Sequence, residues 1–210
     1  TTAIYTLSLH DALPILVNRF SENSVVYEQM TFVAPSSRER AAMNDWLRAA
    51  PLLVSKFTVE NASSVKATVR LQVSFRLSEA DSASLKQTEN GMMAIRNGKM
   101  LAFVNTSFIR SLEPGRENGC LVVRGNLPAH SKETVVVYIP GWEATVAELP
   151  LFKKPEELLA DTEAYWTKIL SSSTKVELPD KLLGDLITAS QVHCIDRKST
   201  RLNSSHVSQS

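Results

Sequence analysis

This 210-residue sequence has few of the residues that mark several common protein classes. Its two cysteines, Cys120 and Cys194, lie at no spacing typical of a zinc site, and free buried thiols fit them better than a disulfide. The net charge is +1 and no run of basic residues occurs, which argues against nucleic acid or an anionic membrane surface as the main partner. No apolar run is long enough to span a bilayer.

Sequence signatures of common catalytic sites are also missing. There is no glycine-rich phosphate loop, metal-binding box or nucleophile elbow, so no catalytic residue, metal ligand or cofactor is predicted. Four histidines occur, of which His10 and His206 lie near the two ends of the chain. His130 and His193 have no nearby nucleophile or ligand partner and are interpreted as structural.

Both ends of the chain look like translated sequencing adapters rather than natural protein. Asp196 to His206 matches, without a mismatch, the translation of a short-read adapter, and Thr2 to Ile15 matches the partner adapter except at Ala3. We therefore expect residues 1–15 and 196–210 to be artefacts and exclude them from fold reasoning. Leu16 to Ile195 is then expected to be an internal slice of a longer protein, with equal numbers of basic and acidic residues.

Alternating hydrophobicity is the clearest structural signal in this slice. From Val65 to Leu77 every second residue is apolar, and the residues between are polar or basic. A period of two predicts a long strand with one buried and one solvated face. Val25 to Val33 is rich in β-branched and aromatic residues, which also favours a strand.

Turn signals connect further predicted strands without intervening helices. Asn97-Gly98 separates two apolar runs and is typical of a type I′ hairpin turn. Leu121 to Arg124 and Thr134 to Ile139 are predicted strands, joined by a loop that contains Pro128 and His130. The sequence therefore predicts a mainly β fold, an antiparallel β-sandwich over residues 16–150.

The pattern becomes helical after Pro150. Pro155 and acidic residues open a segment with an apolar face between Leu158 and Ile169. A second helix is predicted to start near Asp180 and to place its apolar face between Leu182 and Cys194. Residues 151–195 are thus predicted to be a helical linker followed by the first helix of a truncated α-helical domain.

Three passages in this order resemble the six-hairpin glycosidase-like family of bacterial glycoside hydrolases. They are "FTVENASSVKATVRLQVSF", "RGNLPAHSKETVVVYIPG" and "AYWTKILSSSTKVELPDKLLGDLITAS". The resemblance implies the end of an N-terminal β-sandwich and the entry to an (α/α)6 toroid. It also implies that the catalytic carboxylates lie beyond residue 195, that this fragment is inactive, and that carbohydrate is bound through the missing catalytic domain.

A second hypothesis is a carbohydrate-binding or adhesive β-sandwich module without enzymatic activity. Trp46, Tyr138 and Trp142 are its candidate sugar contacts, because aromatic ring faces stack on sugar rings. Trp46 has a competing interpretation as an anchor onto the sheet, from a short helix predicted before Pro51. The localisation stays open without the natural N-terminus, and a periplasmic or secreted location is favoured.

Missing helical neighbours would have a physical consequence. The apolar faces at Leu158 to Ile169 and Leu182 to Cys194 are expected to be open to water. Burying one leucine side chain stabilises by about 1.5–3 kcal/mol, so several exposed ones should favour association. We therefore expect the isolated chain to self-associate.

Overall fold

The computed structural model describes residues 4–9, 13–36, 46–73, 84–117 and 120–171, together with positions 183, 184, 186, 187 and 190. Two antiparallel sheets dominate these residues, and a long helix follows them. This confirms the predicted mainly β fold with a helix after it. The finer prediction, that a truncated α-helical domain begins near residue 180, stays a prediction.

Within the described residues, twelve strands form the two sheets. Their bounds are β1 Ile4–Leu9, β2 Leu16–Glu22, β3 Val25–Pro35, β4 Pro51–Asn61, β5 Ala67–Val73, β6 Ser84–Thr88, β7 Gly91–Arg96, β8 Lys99–Asn105, β9 Leu112–Glu117, β10 Cys120–Leu127, β11 Lys132–Pro140 and β12 Ala144–Thr145. The helices are α1 Trp46–Ala49, a 3₁₀ helix Val146–Leu151 and α2 Pro155–Ser171. The large sheet has the order β1-β2-β3-β4-β11-β8-β7-β6, with β12 paired to β8, and the small sheet has the order β5-β10-β9.

The two sheets bury a core between them, as the alternation of apolar and polar residues in their strands predicts. In β5 the inward residues Val69 and Val73 are buried, whereas Thr68, Arg70 and Gln72 are exposed. This confirms the two-faced strand within 67–73. The structure differs at the strand's start, because Val65 is 67% exposed and lies in the turn before β5. The far end of the predicted strand, 74–77, lies outside the described residues.

The predicted hairpin turn is confirmed. Asn97 and Gly98 have φ values of 50° and 75°, the left-handed pair that a type I′ turn needs, and they join β7 to β8. A second turn with the same signature, Asn23 and Ser24 at φ 48° and 65°, joins β2 to β3. Local sequence does not signal this turn, because serine is an unusual residue in its second position.

Helix α2 covers the other face of the large sheet, so the exposure predicted for its apolar face is wrong. Leu158 is 0% exposed and Trp166 5% exposed, within one core that also contains Phe32 and Val54 of the large sheet. The sheet itself supplies the neighbour that was assumed to be missing. Leu183 and Leu186, from the second predicted helix, are 50% and 56% exposed.

Strand β1 comes from the segment interpreted as translated adapter. It pairs with β2 over its full length, from Ile4 opposite Ser21 to Leu9 opposite Leu16. Ile15 from the same segment is 0% exposed in the core shared with α2. Almost any alternating apolar strand can satisfy the edge of β2, because pairing depends on backbone hydrogen bonds. The adapter origin itself stays a prediction.

Further predictions fall wholly or partly on residues outside those described. Of the helix predicted before Pro51, the structure describes Trp46–Ala49. Of the second trailing helix it describes helical conformation at 183, 184, 186, 187 and 190. His193 and Cys194 lie outside the described residues.

Candidate functional site

A cleft opens where the small sheet ends and the large sheet continues. Strand β5 forms one wall, and β2, β3 and β4 form the floor of a cavity of about 690 Å³. Its lining residues are Asn18, Arg19, Phe20, Glu22, Tyr27, Glu28, Gln29, Phe57, Thr58, Arg70 and Leu71. A volume of this size is within the usual range for a binding site.

Strand register decides which of these side chains point into the cleft. Phe20 lies opposite Tyr27 across β2 and β3, and Gln29 lies opposite Phe57 across β3 and β4. Directly opposed residues share a face, so aromatic side chains form the floor. The Phe20 and Tyr27 rings are 5.7 Å apart between centroids and inclined at 32°. Arg19 and Glu28 alternate with these residues and pair with each other, N to O at 2.6 Å.

Tyr27 links the floor of the cleft to its wall. Burial raises the pKa of its hydroxyl, the charge of Glu22 raises the pKa further, and a hydrogen bond from the backbone of Arg70 opposes both effects. The hydroxyl is therefore protonated at neutral pH. Tyr27 and Arg70 both line the cleft, one on its floor and one on its wall.

The solvent face of β5 carries a charged cluster beside the cleft. Glu117 accepts hydrogen bonds from Arg70 at 2.9 Å and from Arg124 at 2.6 Å. The hydrogen bond from Arg70 is the main reason why the pKa of Glu117 lies below its usual value. Desolvation opposes it, and the charges of Arg124 and Arg70 lower the pKa further. Both arginines are mainly exposed, so the cluster contributes charge to the rim more than stability.

We expect the acid titration of Glu117 to show that its carboxylate is paired with Arg70. Because its folded pKa is lowered, the stability it contributes is present above the unfolded pKa and is lost as pH falls through the folded pKa. Carboxyl-carbon NMR should show Glu117 titrating below an ordinary glutamate, and Arg70→Gln should raise that pKa. Arg19→Gln is the control, because Arg19 pairs with Glu28 instead. An ordinary pKa for Glu117 in the unsubstituted chain would contradict the pairing.

The three predicted sugar contacts lie outside this cleft. Trp46 is 1% exposed, and its ring meets Tyr165 of α2 edge to face at 4.9 Å between centroids. This position fits the interpretation of Trp46 as an anchor. Tyr138 is 3% exposed and stacks on Phe103. Neither ring offers a face for a stacked sugar in this structure.

Trp142 keeps partial exposure and is held in a fixed orientation. Its indole N–H donates to Glu148 at 3.1 Å, and its ring meets Phe152 edge to face at 6.1 Å. Glu148 also accepts from the backbone N–H of Thr145 at 2.9 Å, which caps the 3₁₀ helix. Of the three candidates, Trp142 alone presents ring surface to solvent.

Two buried polar side chains each bind three backbone groups, a role that no local sequence pattern indicated. Asn61 is 0% exposed and donates its amide hydrogens to the carbonyl oxygens of Val65, Leu127 and Pro128 at 2.7–3.1 Å. Glu133 is 6% exposed and accepts from the backbone N–H groups of residues 110, 111 and 112 at 2.6–3.3 Å.

Within the described ranges, no group of three or more potential metal ligands occurs. No helix in the same part of the chain is long and apolar enough to cross a membrane. Asp161, a carboxylate of α2, pairs with Lys153 just before the helix.

Comparison with known proteins finds likeness among solved structures only at low sequence identity. No known family matches the chain, and no curated protein matches it. Among solved structures, it is similar to a protein described as a kojibiose phosphorylase from human microbiome, with 11% sequence identity and a TM-score of 0.35. The match covers 88% of this chain and 24% of that protein, so this chain spans about a quarter of that protein's length.

Proposed function

We propose that this chain is a non-catalytic β-sandwich fragment of a glycoside hydrolase of the six-hairpin type. Its role is to support a catalytic helical domain that would follow it in the parent protein. The proposal is supported by side-chain contacts that join the passages resembling the family to one another and to the sandwich.

Asn61 ties together the first two of those passages. It stands at the end of β4 in "FTVENASS", and its side chain reaches Leu127 and Pro128 in "RGNLPAHS". Its own oxygen accepts from the backbone N–H and the hydroxyl of Ser63, which closes the β4–β5 turn. A single asparagine thus links the turn, the Leu-Pro loop and both sheets, which supports treating the two passages as one structural unit.

Helix α2, where the third passage begins, is joined just as firmly to the sandwich. The hydroxyl of Thr162 donates to the carbonyl oxygen of Val33 at 3.1 Å, and Thr162 is 0% exposed. Glu156 pairs with Lys56 of β4 at 2.9 Å. A helix seated in this way sets the direction of the chain that leaves the domain, which is what a support domain has to do.

The main carboxylates near these features already have structural partners. Glu133 binds backbone N–H groups, Glu117 binds two arginines, and Asp161 pairs with Lys153. A glycosidase needs one carboxylic acid and one carboxylate facing the scissile bond. We therefore place that pair outside this chain, in the helical domain of the parent.

The test is to recover the uninterrupted gene and to assay its product beside this chain. Both proteins would be offered nitrophenyl glycosides and disaccharides, with and without phosphate, and sugar release would be measured. We expect release by the parent and none by this chain. Release by this chain would overturn its non-catalytic role. A parent that stops soon after Ile195, without helical hairpins, would overturn the hydrolase assignment and favour a binding module.

Trp142 supports the alternative of a carbohydrate-binding module, because its ring is partly exposed to solvent. If that alternative holds, NMR shifts at the Trp142 indole should follow titration with oligosaccharides, and Trp142→Ala should abolish them. Trp46→Phe is the control, because Trp46 is buried and offers no ring face. Unchanged indole shifts across the oligosaccharide series would contradict this alternative.

A further inference from the structure

We propose that Asn97 is a modification site, at which the folded chain spontaneously loses ammonia and forms isoaspartate. The reaction consumes one water molecule and needs no enzyme. It takes place in the exposed turn between β7 and β8. This inference is independent of the proposed function.

The reaction begins when the backbone nitrogen of Gly98 attacks the side-chain amide carbon of Asn97. A bond forms between that nitrogen and Cγ, the bond between Cγ and Nδ2 breaks, and ammonia leaves with the proton that the Gly98 nitrogen gives up. Water then opens the five-membered succinimide ring at one of its two carbonyl carbons. Opening at Cγ gives aspartate, whereas opening at the backbone carbon gives isoaspartate, in which the main chain runs through Cβ and Cγ.

The sequence offers this chemistry at more than one place. Asn90-Gly91 and Asn97-Gly98 both lie within the described residues, and Asn118-Gly119 lies outside them. In each pair the residue after asparagine has no side chain to obstruct the attack. Local sequence therefore treats the first two pairs as equals, and only their structural surroundings distinguish them.

The turn at Asn97 leaves both reacting groups accessible. Arg96 and Lys99 are the last pair of the β7–β8 ladder, so the two exposed residues between them lie outside it. Within the described ranges, neither the Asn97 side chain nor the Gly98 N–H makes a hydrogen bond. A Cβ atom built on Gly98 would have no atom within 4 Å. The succinimide ring can therefore form there without breaking a strand pairing.

The peptide between Asn90 and Gly91 is held from both sides instead. The carbonyl oxygen of Asn90 accepts from the N–H of Thr106 at 2.8 Å. Gly91 is buried and pairs with Thr88 of β6, and a Cβ atom on it would lie 1.8 Å from the carbonyl oxygen of Val104. Ring closure has to rotate this peptide, which would break the bond to Thr106 and press Gly91 against β8. We therefore expect Asn90 to be protected by the fold.

Isoaspartate at position 97 would change both the turn and the charge. It adds one backbone atom to a two-residue turn whose length fixes the register of β7 and β8. Strand β8 contributes Met100 and Phe103 to the core that contains Leu158 of α2, so the modified chain should have a lower thermal midpoint. The new carboxylate lowers the net charge from +1 to 0, which isoelectric focusing can separate.

The experiment ages the full chain in warm, mildly alkaline buffer, once folded and once in urea. Cleavage after lysine gives residues 87–99, which carry both asparagines, so fragment-ion mass spectrometry compares the two sites within one peptide. We expect Asn97 to deamidate at least tenfold faster than Asn90 in the folded chain, and the two rates to agree within twofold in urea. Equal rates in the folded chain, or the same preference in urea, would overturn the proposal.

A second measurement identifies the product. An isoaspartate-specific carboxyl methyltransferase with labelled S-adenosylmethionine is applied to the aged, intact chain in an Asn118→Gln background, which removes the third pair. Asn97→Gln should lower methyl incorporation at least tenfold, because glutamine would have to close a less favourable six-membered ring. Asn90→Gln is the matched control and should leave incorporation unchanged. Incorporation that survives Asn97→Gln, or that is lost with Asn90→Gln, would contradict the assignment of Asn97.

Discussion

Substitution of Asn61 by aspartate is expected to cost about 3–5 kcal/mol of unfolding free energy, the range for leaving a buried charge without its partner. The wild-type amide donates to three carbonyl oxygens and is 0% exposed. Aspartate has the same shape but would place a second acceptor against those acceptors. A loss of this size is a large fraction of a typical domain's free energy of unfolding, so the variant should be much less stable than the unsubstituted chain at room temperature.

Urea unfolding followed by circular dichroism measures this loss. Asn126→Asp is the matched control, because Asn126 is exposed and its oxygen accepts from the Thr68 hydroxyl at 3.0 Å, a role that aspartate keeps. We expect the control to lie within about 0.5 kcal/mol of the unsubstituted chain. Equal midpoints for the Asn61 and Asn126 variants would show that the amide does not hold the loop.

Replacement of Gly91 by alanine is the second change with a large expected effect. Gly91 begins β7 at φ +148°, a conformation that residues with a side chain rarely adopt. A Cβ atom there would lie 1.8 Å from the carbonyl oxygen of Val104, in the neighbouring strand β8. Backbone strain and overpacking each cost about 1–3 kcal/mol, so their combined effect should be roughly 2–6 kcal/mol.

Gly115→Ala separates this clash from the general effect of adding a methyl group to a strand glycine. Gly115 lies in edge strand β9, where the nearest atom to a new Cβ is the Val122 oxygen at 3.8 Å. We expect its thermal midpoint to match the unsubstituted chain, whereas Gly91→Ala should lower the midpoint by many degrees. Similar midpoints for both variants would mean that β7 and β8 can separate at little cost.

Local patterns predicted the parts of the fold that depend on near neighbours in sequence. Alternation identified β5 and both of its faces, and Asn97-Gly98 identified the β7–β8 hairpin. The proline and acidic residues after 154 identified α2, which runs Pro155–Ser171. Strands β2, β6 and β9 were missed, because their alternation is weak or is interrupted by polar residues and glycine.

Local patterns could not predict which partner covers each face. The apolar face of α2 was taken as open to water, because a helix pattern shows that a face must be buried but not where. The large sheet supplies that partner through Phe32 and Val54. The cleft was missed for the same reason, since Tyr27 and Arg70 are far apart in sequence and meet only when the two sheets stack.

The sequence by itself therefore determined the antiparallel strands, the hairpin turn and the trailing helix, because each follows from side chains within a few residues of one another. Only the tertiary structure decided that Asn61 holds two distant loops, that Trp46 and Tyr138 are buried, and that β5 has a cleft beside its edge. The physical reason is that burial and strand order depend on pairings between segments distant in sequence.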